Sequence, residues 1–209
     1  MPRAAARSES PEPQGRKARE TRAAILSAAA RQFSVRGYAD CTLREIAREA
    51  GMQAGSVYYH FSSKDEILIE VLNVGSTRLR ENLKTALDRL GPAAPVPARL
   101  RAAVRAHVTS FLDVRDDAHT FMRIYEGLPP DLQRRRRPTR IAYLNLWHGL
   151  IEEGQRDGSL DPDLDRRLFV PFLLQALNRI PDWFRPSEMT IEGVCRMIDA
   201  TVLRSVLRE

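Results

Sequence analysis

The side chains best suited to chemistry in this sequence lie between Gln53 and His60. The stretch offers an amide, a hydroxyl, two phenols and an imidazole, which are groups that hydrogen-bond to base edges or to phosphate oxygens. Small residues come first and three polar-tipped rings come last, an order that suits a helix of about eight residues docked in a major groove. The side chains predicted to point away from the protein are Gln53, Ala54, Ser56, Tyr58, Tyr59 and His60.

A short helix directly before this stretch must position it. Thr42 is predicted to cap that helix, and Glu45 three residues later completes a capping box. Gly51 is predicted to end it, because glycine adopts a left-handed conformation without steric cost. Met52 and Val57 are expected to pack the second helix against the first. The apolar face of the first helix follows the spacing of a single helical side, with Leu43, Ile46, Ala47 and Ala50.

This pattern predicts a helix-turn-helix, although a helical hairpin in an ordinary core would show the same glycine and the same spacing. The distribution of charge separates the two interpretations. Residues 1–64 hold 11 Lys and Arg against 6 Asp and Glu, a net charge of +5, and the remaining 145 residues carry a net charge of +1. An excess of cations is expected where a protein neutralises phosphates, so the charge favours DNA binding.

The stretch from about Thr21 to Leu68 resembles the N-terminal domain of TetR-family transcriptional regulators. The opening helix of that family has an alanine-rich segment, a phenylalanine and a Gly-Tyr-like exit, matched here by ILSAAARQFSVRGY. The next family segment, T-x-x-x-I-A-x-x-A-G, is matched by TLREIAREAG. The closing signature, G-x-(hydrophobic)-Y-x-H-F-x-x-K, is matched by GSVYYHFSSK. The resemblance implies a homodimeric, ligand-responsive transcriptional repressor that binds a palindromic operator.

The same resemblance implies roles for individual residues of the hairpin. Base edges are expected to be read by Gln53, Ala54, Ser56 and Tyr59, and phosphates to be held by Thr42, Arg44, Tyr58, His60 and Lys64. Gln53 departs from the family pattern, which has Ser or Thr at that position. Because glutamine is a poorer cap, two alternatives stay open. Either the recognition helix starts one residue later, or Gln53 contacts a base or a phosphate.

Length and composition set the broad class of the protein. With 209 residues, 43% hydrophobic and 29% charged, the chain is long enough for one large or two small globular domains. The sequence lacks a run of 18 apolar residues and an apolar secretory core at its N-terminus, so we expect a cytoplasmic protein with no membrane partner. Cys41 and Cys195 stand alone at opposite ends of the chain and are predicted to be free thiols.

The N-terminal third is predicted to contain an arm, three short elements and the start of a long helix. Residues 1–17 are expected to be a disordered basic arm, either solvated or in contact with DNA. A first helix is predicted from near Arg19 to Val35, with Gly37 ending it, and Thr21 and Arg22 are placed where they could reach a phosphate. The DNA-binding domain is assigned to residues 18–64. A long helix then begins at Lys64, capped by Ser62 or Ser63, and ends at Gly91.

Residues 65–209 are predicted to form a larger helical domain, which makes the chain all-α. Helices are expected around Leu100 to Phe111, over a short stretch that ends near Gly127, and from Pro138 to Asp157. The next helix is predicted to start at Asp161-Pro162, to run through Ile180 and to close at Trp183 to Pro186, and the last is predicted to start at Ser187 or Thr190. In TetR-type regulators the last two helices form the homodimer, which the resemblance implies here, although they could also complete the core of a monomer.

The effector of such a regulator is expected to bind among aromatic side chains of the middle helices. Candidate lining residues are Phe111, Phe121, Tyr125, Tyr143, Trp147 and Phe172, each of which could also be plain core. The stretch LIEEGQRDGSLDPDLD with the later DWFRP resembles a branch of regulators of fatty-acid and steroid catabolism, which often bind acyl-coenzyme A thioesters. The run from Arg134 to Arg137, with Arg140 or Arg166, could hold the phosphates of such a ligand or could simply be solvated.

The sequence offers little for catalysis. It lacks a glycine-rich phosphate loop, a GxSxG elbow and an HExxH motif. The four histidines are widely spaced, so no metal site or cofactor is predicted. Two rival functions remain: a DNA-binding architectural or division factor without a ligand, and a helical enzyme with a borrowed hairpin. Within the regulator interpretation, an activator is the alternative to a repressor.

Overall fold

The computed structural model describes residues 13–112, 128, 130–135 and 137–208. Apart from a single isolated bridge between Leu160 and Leu207, these residues form helices, turns and loops, so the all-α prediction is confirmed. The chain divides into two compact units, Met1–Leu68 and Ile69–Glu209. Within the described residues, no helix combines the length and the apolar character needed to cross a lipid bilayer.

The first unit contains three helices and the opening turn of a fourth. They are α1 (Pro13–Arg36), α2 (Leu43–Glu49), α3 (Ala54–His60) and the start of α4 (Lys64–Leu90). Helices of seven residues such as α2 and α3 are marginal in isolation, so packing must stabilise them. Their apolar faces close over α1 in one small core formed by Ile25, Ala29, Phe33, Ile46, Val57, Phe61, Ile67 and Leu68.

Helix α1 begins earlier than predicted, because residues 13–17 are helical and do not belong to an arm. Pro13 occupies the first position of the helix, where its missing N–H would have no partner. Arg16 lies 3.6 Å from Glu20, and the Arg19 Nε donates to the Gly15 carbonyl at 3.1 Å. These contacts between residues one turn apart stabilise the N-terminal end of α1. The rest of the predicted arm lies outside the described residues.

The second unit holds the remainder of α4 and the helices that follow it. Gly91, with φ of +76°, ends α4 as predicted. The later helices are α5 (Val96–Leu112), α6 (Pro130–Arg135), α7 (Arg137–Asp157), α8 (Arg166–Asn178), α9 (Ile180–Trp183) and α10 (Ile191–Ile198), which continues as a π-helical turn over Asp199–Leu203. Helices α5, α7 and α8 surround the centre of the core, where Leu100, Val104, Val108, Trp147, Ile151, Leu173 and Leu177 are buried.

The prediction of one continuous helix from Asp161-Pro162 was wrong at its start and at Arg179, whereas its predicted end near Trp183 agrees with the end of α9. The Asp161 N–H donates to the Val206 carbonyl at 2.9 Å, so this segment pairs with the C-terminal tail, and α8 starts only after its cap, Asp165. Before the predicted end, Pro181 has no N–H to continue the helical ladder. The chain therefore breaks at Arg179 and restarts as α9.

Candidate functional site

The N-terminus of α2 carries the predicted capping box. The Thr42 hydroxyl accepts from the Glu45 N–H at 3.3 Å, and the Glu45 carboxylate accepts from the Thr42 N–H at 2.8 Å and from its hydroxyl at 2.9 Å. These hydrogen bonds from Thr42 lower the pKa of Glu45. The predicted phosphate contact of Thr42 therefore meets a difficulty, because a carboxylate already occupies its donors.

Helix α3 begins at Ala54, so the alternative of a later start is wrong. Gly51 makes the preceding turn with φ of +69°, and the Met52 N–H closes it by donating to the Ala47 carbonyl at 2.9 Å. Gln53 stands at the cap position, is exposed and makes no side-chain hydrogen bond to the helix. Because its amide does not cap the helix, it remains available to contact a base or a phosphate, as in the second alternative.

One face of α3 is buried and the other carries the predicted reading residues. Val57 is fully buried, whereas Tyr58 is 59% and Tyr59 is 86% exposed. Gln53, Ser56 and Tyr59 are all exposed and recur every three residues, so they share one side of the helix. His60 is half-buried, with its ring edge-on to Tyr59 at 5.1 Å between centroids, and Ala54 is half-buried at the start.

The acidic side chains of α2 face α1, whereas Arg44 of the same helix faces away from it. Glu45 pairs with Arg36, and Glu49 accepts from the Arg31 Nε at 2.8 Å, so one side of α2 is bound to α1 by ion pairs. Arg44 lies off this side and is exposed, and its guanidinium makes no ion pair or hydrogen bond with any other described residue. Arg44 is therefore free to meet a phosphate.

The Lys64 ammonium binds backbone carbonyls of the protein, whereas the sequence predicts that it binds a phosphate. Its ammonium donates to the carbonyls of Tyr38 at 2.8 Å, Ala39 at 3.3 Å and Cys41 at 2.8 Å, and it lies 4.3 Å from the centre of the Tyr38 ring. A lysine has three N–H donors, and these carbonyls account for all of them. We correct the predicted phosphate contact accordingly, because Lys64 stabilises the loop between α1 and α2.

Side chains of the loop before α2 and of the residues before α4 hold the first turn of α4 in place. The Tyr38 hydroxyl donates to the Asp65 carboxylate. At the start of α4 the Glu66 N–H donates to the Ser63 hydroxyl at 3.1 Å, which makes Ser63 the cap, and the Glu66 carboxylate accepts from the Ser62 N–H at 2.8 Å. The cap at Ser63 is one of the two that the sequence predicts, whereas the contact of Tyr38 joins residues 27 positions apart and leaves no local pattern.

In the second unit, three of the predicted effector residues gather around a buried histidine. His107 Nε2 lies 3.0 Å from the Asn178 amide oxygen, an acceptor, so Nε2 carries the proton and Nδ1 accepts from the Tyr143 hydroxyl at 2.7 Å. Phe111 stacks on the imidazole at 4.5 Å, and Trp147 meets it edge-on at 6.0 Å. Burial lowers the pKa of His107 to about 4 and raises that of Tyr143.

Within this cluster, the indole N–H of Trp147 is the group whose hydrogen bonding is incomplete among the described residues. The indole is fully buried, and its Nε1–H makes no well-formed hydrogen bond among the described residues, although it approaches the Tyr143 phenol closely enough to lower the pKa of that group somewhat. Buried donors without partners are uncommon, and they are often satisfied by a water or a ligand. Phe121 and Tyr125, two further predicted lining residues, lie outside the described part of the chain.

Phe172, the remaining predicted lining residue, points away from this cluster and is 63% exposed. The helical period explains the difference, since the buried face of α8 is already formed by Phe169, Val170, Leu173, Leu174 and Leu177. Leu168, one turn before Phe172, is 72% exposed. The pocket assignment of Phe172 was therefore wrong, and the outer face of α8 carries two large apolar side chains.

A pocket of about 310 Å³ opens elsewhere in the second unit, between the end of α4, α5 and α10. Ion pairs cross it, with the Arg101 Nε 2.6 Å from the Asp199 carboxylate and Arg105 paired with Glu192. The basic groups named for ligand phosphates are not part of its lining. Of these, Arg166 pairs with Glu152 at 2.8 Å, and Arg134 is exposed in α6.

Metal-ligating groups do not gather in the described part of the chain, where no cluster of three or more His, Cys, Asp or Glu side chains could hold an ion. His107 is committed to Tyr143 and Asn178. Cys41 and Cys195 are both free thiols, as predicted. Burial raises the pKa of each thiol.

Comparisons with known proteins agree with the geometry of both units. Residues 25–71 match the model of bacterial regulatory proteins of the tetR family. Residues 93–206 match the model of the tetracyclin repressor-like C-terminal domain. The first match spans α2, α3 and the start of α4, and the second spans the helices around His107.

Individual relatives are similar over most of their length. The HTH-type transcriptional repressor KstR2 of Rhodococcus jostii (strain RHA1) is 33% identical over 192 residues, covering 87% of this chain and 89% of that protein. The structure of the ketosteroid transcriptional regulator KstR2 of Mycobacterium tuberculosis has a TM-score of 0.72 at 26% identity, with coverage of 90% and 95%. AibR, solved in complex with isovaleryl coenzyme A and operator DNA, has a TM-score of 0.74 at 22% identity, with coverage of 86% and 97%, a likeness of fold alone.

The buried histidine predicts how stability depends on pH. Because its pKa falls from an ordinary 6.5 to about 4 on folding, the folded state binds fewer protons than the unfolded state between these values. Stability is therefore fully present above pH 6.5 and is lost as the pH falls towards 4, by about 3 kcal/mol from this residue. Urea unfolding at a series of pH values measures the effect.

The matched variants for this measurement are His107→Asn and His148→Asn. His107→Asn should remove most of the slope between pH 6.5 and 5, above the range in which Glu45 and other carboxylates with lowered pKa values take up protons. His148 is half-buried, and its pKa is lowered by burial and by Arg166, so His148→Asn should remove a smaller part. A slope that survives intact in His107→Asn would contradict the assignment.

Proposed function

The chain belongs to the TetR family of bacterial regulatory proteins, and from this premise we propose that it binds a palindromic operator as a homodimer and releases it when an effector binds. It is a DNA-binding transcriptional regulator, and proteins of this family are not enzymes. The related KstR2 proteins are named repressors, and we propose repression as the mode of action here.

The observation that carries the DNA-binding proposal is the exposed side of α3. Tyr59 is 86% exposed at the end of a helix whose opposite side is buried by Val57. Large aromatic side chains are seldom so exposed without a partner, and a phenol presents both an apolar ring and a polar tip to a base edge. We propose that Gln53, Ala54, Ser56 and Tyr59 read bases, and that Arg44, Tyr58 and His60 hold the adjacent backbone.

The proposal for the dimer is supported by the outer face of α8. Leu168 and Phe172 are one helical turn apart and both mostly exposed, and Met197 of α10 is 41% exposed. An exposed group of large apolar side chains commonly marks a protein-protein interface. A second copy of the chain is the occupant that a palindromic operator requires, because two-fold symmetric sites are read by two-fold symmetric proteins.

The proposal for the effector is supported by the cluster around His107. Phe111, Tyr143 and Trp147 form an aromatic wall with an indole N–H that makes no well-formed hydrogen bond to any described residue, a combination typical of sites that orient a mainly apolar ligand through few polar groups. The name of the ketosteroid regulator KstR2 agrees with a ligand of this kind. We propose a small apolar or acyl-coenzyme A-type effector that lowers the population of the DNA-competent conformation.

Replacing Arg44 tests the DNA contact. Arg44→Gln should weaken binding to all duplex sequences and reduce the salt slope of log K by about one, because one phosphate contact is lost. Fluorescence anisotropy with labelled duplexes over a range of salt concentrations measures both quantities. Arg156→Gln changes another exposed arginine, in α7, and as the control it should leave the slope unchanged. An unaltered slope in Arg44→Gln would remove Arg44 from the interface.

A charge on the outer face of α8 tests the dimer. Phe172→Glu should shift the chain from dimer to monomer in sedimentation velocity, because two carboxylates would meet at a two-fold interface without counter-charges. Its affinity for a palindromic duplex should fall more steeply than its affinity for a half-site. Ile141→Glu, at a residue of α7 that is 43% exposed, controls for the added charge. A Phe172→Glu protein that stays dimeric contradicts the proposed interface.

Thermal unfolding in the presence of acyl-coenzyme A thioesters tests the effector. A ligand present at 100-fold above its Kd should stabilise the protein by about 2.7 kcal/mol. Trp147→Phe should lose this response, and Trp183→Phe, which changes the other tryptophan at an exposed position, should keep it. Absence of stabilisation by every thioester tried would exclude this class of effector and leave the DNA-binding proposal intact.

A further inference from the structure

Arg22 of α1 donates to the end of the recognition helix α3. Its Nη1 lies 2.6 Å from the His60 carbonyl oxygen. His60 is the last residue of α3, and the final carbonyls of a helix have no partner within it. A guanidinium at this end also carries the charge that the helix dipole favours there. The contact joins residues 38 positions apart in the sequence.

The same guanidinium makes two more contacts just beyond α3. Its carbon lies 4.0 Å from the centre of the buried Phe61 ring, a cation–π arrangement. Its Nη2 lies 3.7 Å from the Glu66 carboxylate, whose other oxygen accepts from the Ser62 N–H and hydroxyl at 2.8 and 2.7 Å. Arg22 thus bridges the end of α3, the junction after it and the first turn of α4.

We propose that Arg22 is a positioning residue for DNA recognition, which orients α3 without touching DNA. The inference rests on the proposed reading of bases by α3. A helix of seven residues has little stability of its own, so its orientation depends on neighbouring helices. Base contacts require side chains held to about 0.5 Å of their working geometry, whereas attraction to phosphates tolerates looser placement.

The geometry argues against the earlier expectation that Arg22 reaches a phosphate. Its side chain is only 33% exposed, and its donors and its flat face are occupied by a carbonyl, a carboxylate and a ring. Arg44, by contrast, is exposed and unpaired among the described residues. Lysine cannot replace Arg22 in this role, because an ammonium lacks the planar fork that makes the three contacts together.

The test compares Arg22→Lys with Arg156→Lys in the full-length protein. Duplexes are first selected by the wild-type protein from a random-sequence pool, and affinity is then measured for a selected duplex and for a random one. Arg22→Lys should bind the selected duplex about ten-fold more weakly, equivalent to one lost base contact, and bind the random duplex with unchanged affinity and salt slope. Arg156→Lys makes the same replacement at an exposed arginine of α7 outside the proposed DNA interface, and it should change the affinity for neither duplex by more than about three-fold.

Two results would overturn the proposal. If Arg22→Lys weakens both duplexes equally, Arg22 acts as a phosphate contact or as a general stabiliser. If it leaves the selected duplex unaffected, α3 does not need this bridge. Selection of no duplex by the wild-type protein would instead refute the proposed DNA binding itself, on which the role of Arg22 rests.

A second variant keeps the test decisive if Arg22→Lys fails to fold, which circular dichroism would reveal. Glu66→Gln removes the ion pair with Arg22 while its amide oxygen can still accept from Ser62. It should show the same selective loss for the selected duplex, with a smaller amplitude and an unchanged salt slope. Equal affinity of Glu66→Gln and the wild-type protein for the selected duplex would contradict the bridge.

Discussion

Three backbone carbonyls between α1 and α2 converge on the ammonium of Lys64, and the shape of the DNA-reading unit depends on this interaction. The carbonyls of Tyr38, Ala39 and Cys41 belong to a loop that has no helical ladder to satisfy them. The contacts to Tyr38 and Cys41 are partly buried, and a buried acceptor left without a donor costs about 1–3 kcal/mol. The loop sets where α2 begins, and α2 supports α3. A cation at the first position of α4 therefore determines where the recognition helix lies.

This use of cations qualifies what net charge says about a DNA-binding protein. The first 64 residues carry a net charge of +5, which pointed to the right class of partner. Yet Arg31 and Arg36 bind carboxylates of α2, and Lys64 binds carbonyls. Much of the positive charge thus holds the helices together, while its long-range field still attracts phosphates. The net charge of this segment indicates that it binds DNA. The contacts of each cation show whether that cation stabilises the fold or is available to DNA.

The parts of the structure that could be predicted from sequence are those decided within about one helical turn. The Thr42–Glu45 box, the stops at Gly51 and Gly91 and the cap at Thr190 depend on neighbours three or four residues away, and all were predicted. The contacts of Lys64 span 23 to 26 residues, and the pairing of Asp161 with Val206 spans more. Such partners leave no local pattern, and so the start of α8 and the role of Lys64 were mispredicted.

The orientation of Phe172 has a further consequence for the second unit. Helix α8 presents Phe172 and Leu168 outward, and its last residue, Asn178, accepts from His107 inside the core. One rigid helix thus links the buried polar cluster to the apolar face proposed for the dimer. Burial keeps His107 neutral, so its hydrogen bond to Asn178 is not strengthened by a charge. A ligand oxygen that accepted from the imidazole N–H could therefore replace the Asn178 oxygen at a small cost in free energy. An effector that does so would act directly on the helix that carries the proposed interface.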